Sequence, residues 1–114
     1  MASFMFLLYD RESDFEGFGP EDMQRIVERY KAWADSLGDR LIGSDKLVDG
    51  EGRVLHARDG ELRILDGPFS ETKELIGGYF AVEAENYDEA IELAKGCPHV
   101  EFGTLEIRQI DAMH

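Results

Sequence analysis

Apolar residues in this chain follow two rhythms. Phe4 to Tyr9 is a short, aromatic-rich, nearly unbroken apolar run that ends in Asp10-Arg11-Glu12-Ser13-Asp14. That pattern predicts a central strand covered on both faces. From Pro20 the period lengthens. Met23, Ile26, Val27, Tyr30, Trp33, Ala34 and Leu37 share one helical face, while Gln24, Arg25, Glu28, Arg29, Lys31 and Asp35 fill the other. Proline at the first helical position costs no hydrogen bond, Glu21 and Asp22 favour the positive end of the dipole, and Gly38 terminates the helix. An aromatic stripe of this kind is core first, although Tyr30 or Trp33 could line a pocket. Residues 10–19 form an acidic loop carrying Phe15 and Phe18. The loop is long enough to edge a site, but both rings folding back on the core explains it equally well.

The second half alternates in shorter units. Leu41 to Val48 reads as a strand with Ser44, Asp45 and Lys46 in its middle. Arg53 to Arg58 and Glu61 to Leu65 flank Asp59-Gly60, a strong hairpin signal because that turn needs positive φ. Ile76 or Gly77 to Ala84 reads as a strand apolar on both faces. A helix then follows, with Asn86 as N-cap and Glu89 placed to close a capping box. Tyr87, Ala90, Ile91 and Ala94 keep its period, and Gly96 and Pro98 stop it. Phe102 to Ile110 alternates as the last strand.

The resulting order is β-α-β, a β-hairpin, β-α-β. Both helices can pack on one face of an antiparallel sheet, which makes an α+β, ferredoxin-like domain over residues 1–114. Apolar residues on the other sheet face predict a homodimer with sheets packed face to face.

Composition narrows the function classes. At 43% hydrophobic and 32% charged, the chain fits a globular protein. No apolar run approaches a membrane span. The apolar start lacks a basic region and a cleavage site, so it reads as a first strand of a cytoplasmic protein. A net charge of −13 argues against nucleic acid and anionic lipid as partners. The lone Cys97 reads as a packing residue. The three histidines, His56, His99 and His114, are scattered and give no metal set. No phosphate-cradling loop or nucleophile elbow is present, so no cofactor is expected.

The stretch Leu65 to Phe80 makes the sharpest demands on the backbone. Asp66-Gly67-Pro68-Phe69, followed by Glu71, Thr72, Lys73 and Gly77-Gly78-Tyr79, resembles the DGPF branch of the YCII-related proteins. The likeness continues through Asp88-Glu89-Ala90, Cys97-Pro98 and Gly103-Thr104-Leu105-Glu106-Ile107-Arg108, across essentially the whole chain. It implies a ferredoxin-like fold, a dimeric α+β barrel, bacterial origin and no settled activity. Some relatives are encoded with or fused to extracytoplasmic-function sigma factors. The wider group is thought to use a His–Asp pair with the histidine on or near the first helix. Met23 and Gln24 stand there in this sequence.

Two readings of the motif stay open. As a corner, Asp66 caps the turn, Gly67 takes positive φ, Pro68 sets direction, Phe69 anchors, and Gly77-Gly78 mark a bulge or close backbone approach. As a site, Asp66, Glu71 and Lys73 are the candidate catalytic residues, since an acid–lysine pair in a cleft can move a proton. Asp45, Arg58, His56 and Tyr79 are the candidate ligand-binding residues, the hairpin supplying cations if it folds over the cleft. The activity expected is binding, with acid–base chemistry, of a small polar metabolite near the Asp66–Lys73 loop. The competing reading is a non-catalytic dimeric regulatory module; a third is that the motif only shapes the dimer.

Overall fold

The computed structural model describes residues 1–67 and 74–112. The first strand, β1, spans Ala2–Asp10, and helix α1 spans Pro20–Leu37. Strand β2 (Leu41–Lys46) follows, then the hairpin strands β3 (Arg53–Arg58) and β4 (Glu61–Asp66). Strand β5 (Leu75–Ala84), helix α2 (Tyr87–Lys95) and strand β6 (Thr104–Gln109) complete the chain. Strands β2-β5-β1-β6 form one antiparallel sheet in that order, and β3-β4 form a second, two-stranded one. This is the expected α+β, ferredoxin-like arrangement with both helices against one face.

Register decides which residues reach the core. Phe4 lies opposite Val82 and Phe6 opposite Phe80, so the even positions of β1 face the helices. Phe4, Phe6, Leu8, Val82 and Ala84 pack with Trp33, Leu37, Ala90, Ala94 and Cys97. Fully burying a side chain such as Phe4 or Phe6 contributes roughly 2–3 kcal/mol each. Trp33 is core rather than pocket lining. Its ring lies edge-on to Phe80 at 4.8 Å, and its Nε1–H donates to the Leu93 carbonyl at 3.0 Å, which ties α1 to α2.

The odd positions of β1 face away from the helices. Met5 pairs with Ala81 and Leu7 with Tyr79, bordered by Ser3, Glu83, Asp45, Glu106 and Arg108. The first strand is therefore covered on one face only within the chain, and the molecule is 18 Å across its thinnest direction.

Local signals explain most boundaries. Asp22 accepts the Gly19 N–H at 3.0 Å and fixes the start of α1. Asn86 accepts the Glu89 N–H at 2.9 Å at the start of α2. Glu89 does not close the capping box on Asn86. It accepts instead from the Glu85 N–H at 3.1 Å and pairs with Arg40, because a cation from the preceding 3-10 turn (Gly38–Arg40) is within reach. The last strand begins at Thr104, two residues later than its alternation suggests. Pro98–Glu101 winds into a 3-10 turn first.

The hairpin closes through Asp59 (φ 52°) and Gly60 (φ 79°), both in the left-handed region that a tight two-residue turn requires. Every residue of β4 is exposed. At its base the Gly67 N–H donates to the Gly52 carbonyl at 3.1 Å, with Gly67 at φ 137°.

Candidate active site at the end of the sheet

Gly77 and Gly78 do both jobs expected of them. Leu8 pairs with Gly78 but Tyr9 with Ile76, so Gly77 is the extra residue of a β-bulge. A side chain at Gly78 would sit 2.8 Å from the Asp45 carbonyl, which explains the bare backbone. The bulge turns the end of β1 so that the Asp10 carboxylate lies 3.0 Å from where a Gly77 side chain would begin.

Asp10 continues the phase of Phe4, Phe6 and Leu8 toward the helices, yet it is a carboxylate. Burial pushes it above the usual aspartate range. His99 and Lys46 pull it down, while Asp49 and Asp14 push it further up. Among the described residues no hydrogen bond holds the Asp10 carboxylate.

Next to it stands His99, which is 2% exposed and the one buried polar side chain among the described residues. Its Nε2 lies 2.7 Å from the Tyr9 carbonyl oxygen and its Nδ1 2.7 Å from the Tyr30 hydroxyl. A carbonyl only accepts, so Nε2 carries the hydrogen and donates to it, while Nδ1 shares a hydrogen bond with the Tyr30 hydroxyl. A histidine thus stands against the first helix although none is encoded in it. Both of its nitrogens are used, so His99 positions the end of β1 against α1 and is not free to act as a base. Burial likewise holds the Tyr30 hydroxyl far above the tyrosine range. Gly103 permits this contact. A methyl group there would overlap the Tyr9 carbonyl oxygen and lie 2.9 Å from His99 Nε2.

The surroundings are aromatic and charged. Phe15, Phe18 and Phe102 cluster with ring centroids 5.7–6.2 Å apart. Glu74, which follows the motif in the chain, accepts from Thr104 Oγ1 at 3.0 Å and lies 3.9 Å from Arg11 Nε. The far end of the motif is therefore pinned between the residue after Asp10 and the residue after Gly103.

The candidates named from the sequence are spread out. Asp66 is 94% exposed at the hairpin base, 3.5 Å from Arg53. Glu71 and Lys73 lie outside the described residues. Asp45 accepts from the Tyr79 hydroxyl at 2.7 Å on the open face of the sheet, a hydrogen bond that also raises the tyrosine's pKa. His56 and Arg58 are exposed along the hairpin, opposite Arg63 and Glu61, and do not fold over a cleft. The sequence reading missed Asp10 and His99. For Asp10 the missed signal was the phase of β1. For His99 it was a histidine four residues before a glycine, with a tyrosine available in an apolar stripe.

Cys97 lies near His99 and is 1% exposed. Burial raises its thiol to about 11, so it is a packing group and not a nucleophile. Among the described residues no set of His, Cys, Asp and Glu side chains gathers to hold a metal. A separate open groove of about 380 Å³ runs between α2 and the edge strand β6, lined by Ile91, Val100, Leu105 and Ile107.

Residues 2–114 match the YCII-related domain. The chain belongs to the YCII-related family. An uncharacterised protein of Rhizobium meliloti is 28% identical over 114 residues, covering 91% of this chain and 88% of that protein. Among solved structures, a 5-chloro-2-hydroxyhydroquinone dehydrochlorinase from Burkholderia phenoliruptrix, in complex with 2,5-dihydroxybenzoquinone, is similar with a TM-score of 0.49. It is 17% identical, and the likeness covers 96% of this chain and 93% of that one. Among the described residues no helix of this YCII-related chain is long and apolar enough to cross a membrane.

Proposed function

We propose that this protein binds a small polar metabolite at the helix-side end of its sheet, with Asp10 as the acid–base group. The observation that carries this reading is Asp10 itself. It is a partly buried carboxyl on the core-facing phase of a central strand, unbonded among the described residues, with its pKa raised by burial, as a carboxyl kept for proton transfer requires. Gly77 leaves the space beside it open. His99 and Tyr30 lock the strand end that carries it, and Phe15, Phe18 and Phe102 form an apolar wall nearby. The reaction class is proton abstraction or donation on a small molecule, as in isomerisation, elimination or hydrolysis.

The Asp66-Gly67-Pro68-Phe69 motif supports placing the chain in the DGPF branch. Its pinned flank at Glu74 supports a cleft edged by the Asp66–Lys73 stretch, with Glu71 and Lys73 as further candidates. The working form is a cytoplasmic homodimer joined through the open sheet faces around Met5, Leu7, Tyr79 and Ala81. Met5, Leu7 and Tyr79 are only partly covered within one chain, and a second copy covers the rest.

The test is ligand-observed NMR with a panel of small carboxylates, keto acids and hydroxylated metabolites, in deuterated buffer. A compound that binds the wild type and exchanges a C–H hydrogen, and that loses exchange in Asp10→Asn with the fold intact, supports the site. Undiminished exchange in Asp10→Asn rules Asp10 out. Lys73→Ala and Asp66→Ala, if folded, separate ligand binding from the corner role of the motif.

A further inference from the structure

The β3–β4 hairpin has two unlike faces. Leu55 pairs with Ile64 and Ala57 with Leu62, which places four apolar side chains side by side. The opposite face carries His56 against Arg63 and Arg58 against Glu61, with Val54 against Leu65 as its single apolar pair near the base. Leu55, Leu62 and Ile64 are 62%, 63% and 64% exposed. A two-stranded ribbon is at best marginally stable alone in water. This one is nonetheless well specified, by the Asp59-Gly60 turn at its tip and by the Arg53–Asp66 pair and the Gly67–Gly52 hydrogen bond at its base. The radius of gyration is 16.1 Å, against about 13 Å for a compact chain of this length. The hairpin stands away from the body as an arm.

We propose that this arm clasps a second copy of the same chain, apolar face down. Charge favours that occupant. Residues 53–66 contain three arginines and three acidic residues. The whole −13 therefore resides in the rest of the chain, and a neutral arm adds no repulsion when it approaches an equally acidic body. Area favours it too. Four side chains offer on the order of a few hundred Å², well short of the roughly 800 Å² per partner of a standard interface. A two-fold axis uses the patch twice and adds it to the open sheet face. The arm is inserted between β2 and β5, so it springs from the β2 edge of that same sheet. This inference rests on the homodimer reading above and adds the arm to it.

Sedimentation equilibrium and hydrogen exchange separate the two. A dimer is expected at micromolar concentration. Amides of residues 53–66 should slow at least tenfold as concentration rises through the dissociation constant. Leu55→Ser/Ile64→Ser, with circular dichroism unchanged, should weaken dimerisation at least ~100-fold. A dimer whose arm amides exchange at the same rate at all concentrations overturns the clasp and leaves the face-to-face dimer standing. A dissociation constant unchanged in the folded double variant does the same. A wild type that remains monomeric overturns both.

Discussion

Replacing Gly103 by alanine adds one methyl group where three elements meet. Gly103 does not have a positive φ, so alanine brings no backbone strain of its own. The difficulty is space. The methyl carbon would overlap the Tyr9 carbonyl oxygen and lie 2.9 Å from His99 Nε2. Neither neighbour yields easily. The carbonyl belongs to the central strand, and the imidazole is held at its other nitrogen by Tyr30 at 2.7 Å. Relief requires moving the 3-10 turn away from β1 and breaking the His99–Tyr9 hydrogen bond. Overpacking of this kind costs roughly 1–3 kcal/mol. A buried donor left unpaired costs about 1–3 kcal/mol more. The stiffer unfolded chain returns about 0.5–1 kcal/mol. The net loss is ~3 kcal/mol, and at ~2.1 cal/mol/K per residue a 114-residue domain then melts about 12 °C lower. Scanning calorimetry of the wild type, Gly103→Ala and Gly43→Ala decides the matter. Gly43 has nothing within 4 Å and no positive φ, so its variant should melt within about 3 °C of the wild type. If the two variants melt together, the packing of His99 against β1 is not what excludes a side chain at position 103.

Other outcomes follow from the same geometry. Asp10→Asn should stabilise the fold. A carboxyl whose folded pKa lies above its unfolded one loses native stability as pH rises from about 3.8 through the raised value, so the melting advantage of the variant should grow across that window and then level off; an advantage independent of pH would refute it. Glu89, held low by Arg40 and the Glu85 N–H, acts in the opposite sense: its contribution is present above its unfolded pKa and is lost as pH falls through the depressed folded value, so Glu89→Gln should flatten the acid limb of the stability curve. Cys97, 1% exposed with a thiol near 11, should resist Ellman's reagent at pH 8 in the native state and react fully in guanidinium; fast native labelling would contradict its burial. Asn86→Ala should cost about 1 kcal/mol by urea titration, because the Glu89 N–H loses its cap.

What could be read from the sequence was what depends on neighbours in the chain. Pro20 and Gly38 bound α1, Asp59-Gly60 sets the hairpin, and Asn86 starts α2, each through contacts within a few residues. The second apolar sheet face was legible as well, because β1 is apolar at odd and even positions alike while two helices can cover only one side. His99 was not, because its role is assembled from residues 69 and 90 positions away. The sequence pattern places Asp10 first in a loop, since a charged residue ending an apolar run ordinarily marks a strand's end. Strand β1 in fact runs on through Asp10, whose even phase points the carboxylate to the helix side, and the bare Gly77 leaves room beside it. The motif itself divides: Asp66 and Gly67 form the exposed foot of the hairpin, whereas Glu74 is fastened beside Asp10.

That division bears on the role proposed for Asp10. A chain under pressure for stability alone would place an apolar residue or an asparagine at position 10, where a carboxylate pays a desolvation cost without a hydrogen bond among the described residues. The same region also carries a histidine satisfied at both nitrogens, a glycine that must stay bare at position 103, and a bulge glycine that leaves space beside the carboxylate. The histidine and the bare Gly103 fix the strand end, the bulge glycine leaves room there, and the carboxylate is the destabilising member. Rigid support around a destabilised titratable group is what the acid–base role proposed for Asp10 calls for. A merely tolerated surface aspartate would need neither the buried histidine nor the bare glycines. The stability gain expected for Asp10→Asn and the loss expected for Gly103→Ala are therefore two sides of one claim: the protein spends the second to hold the first in place.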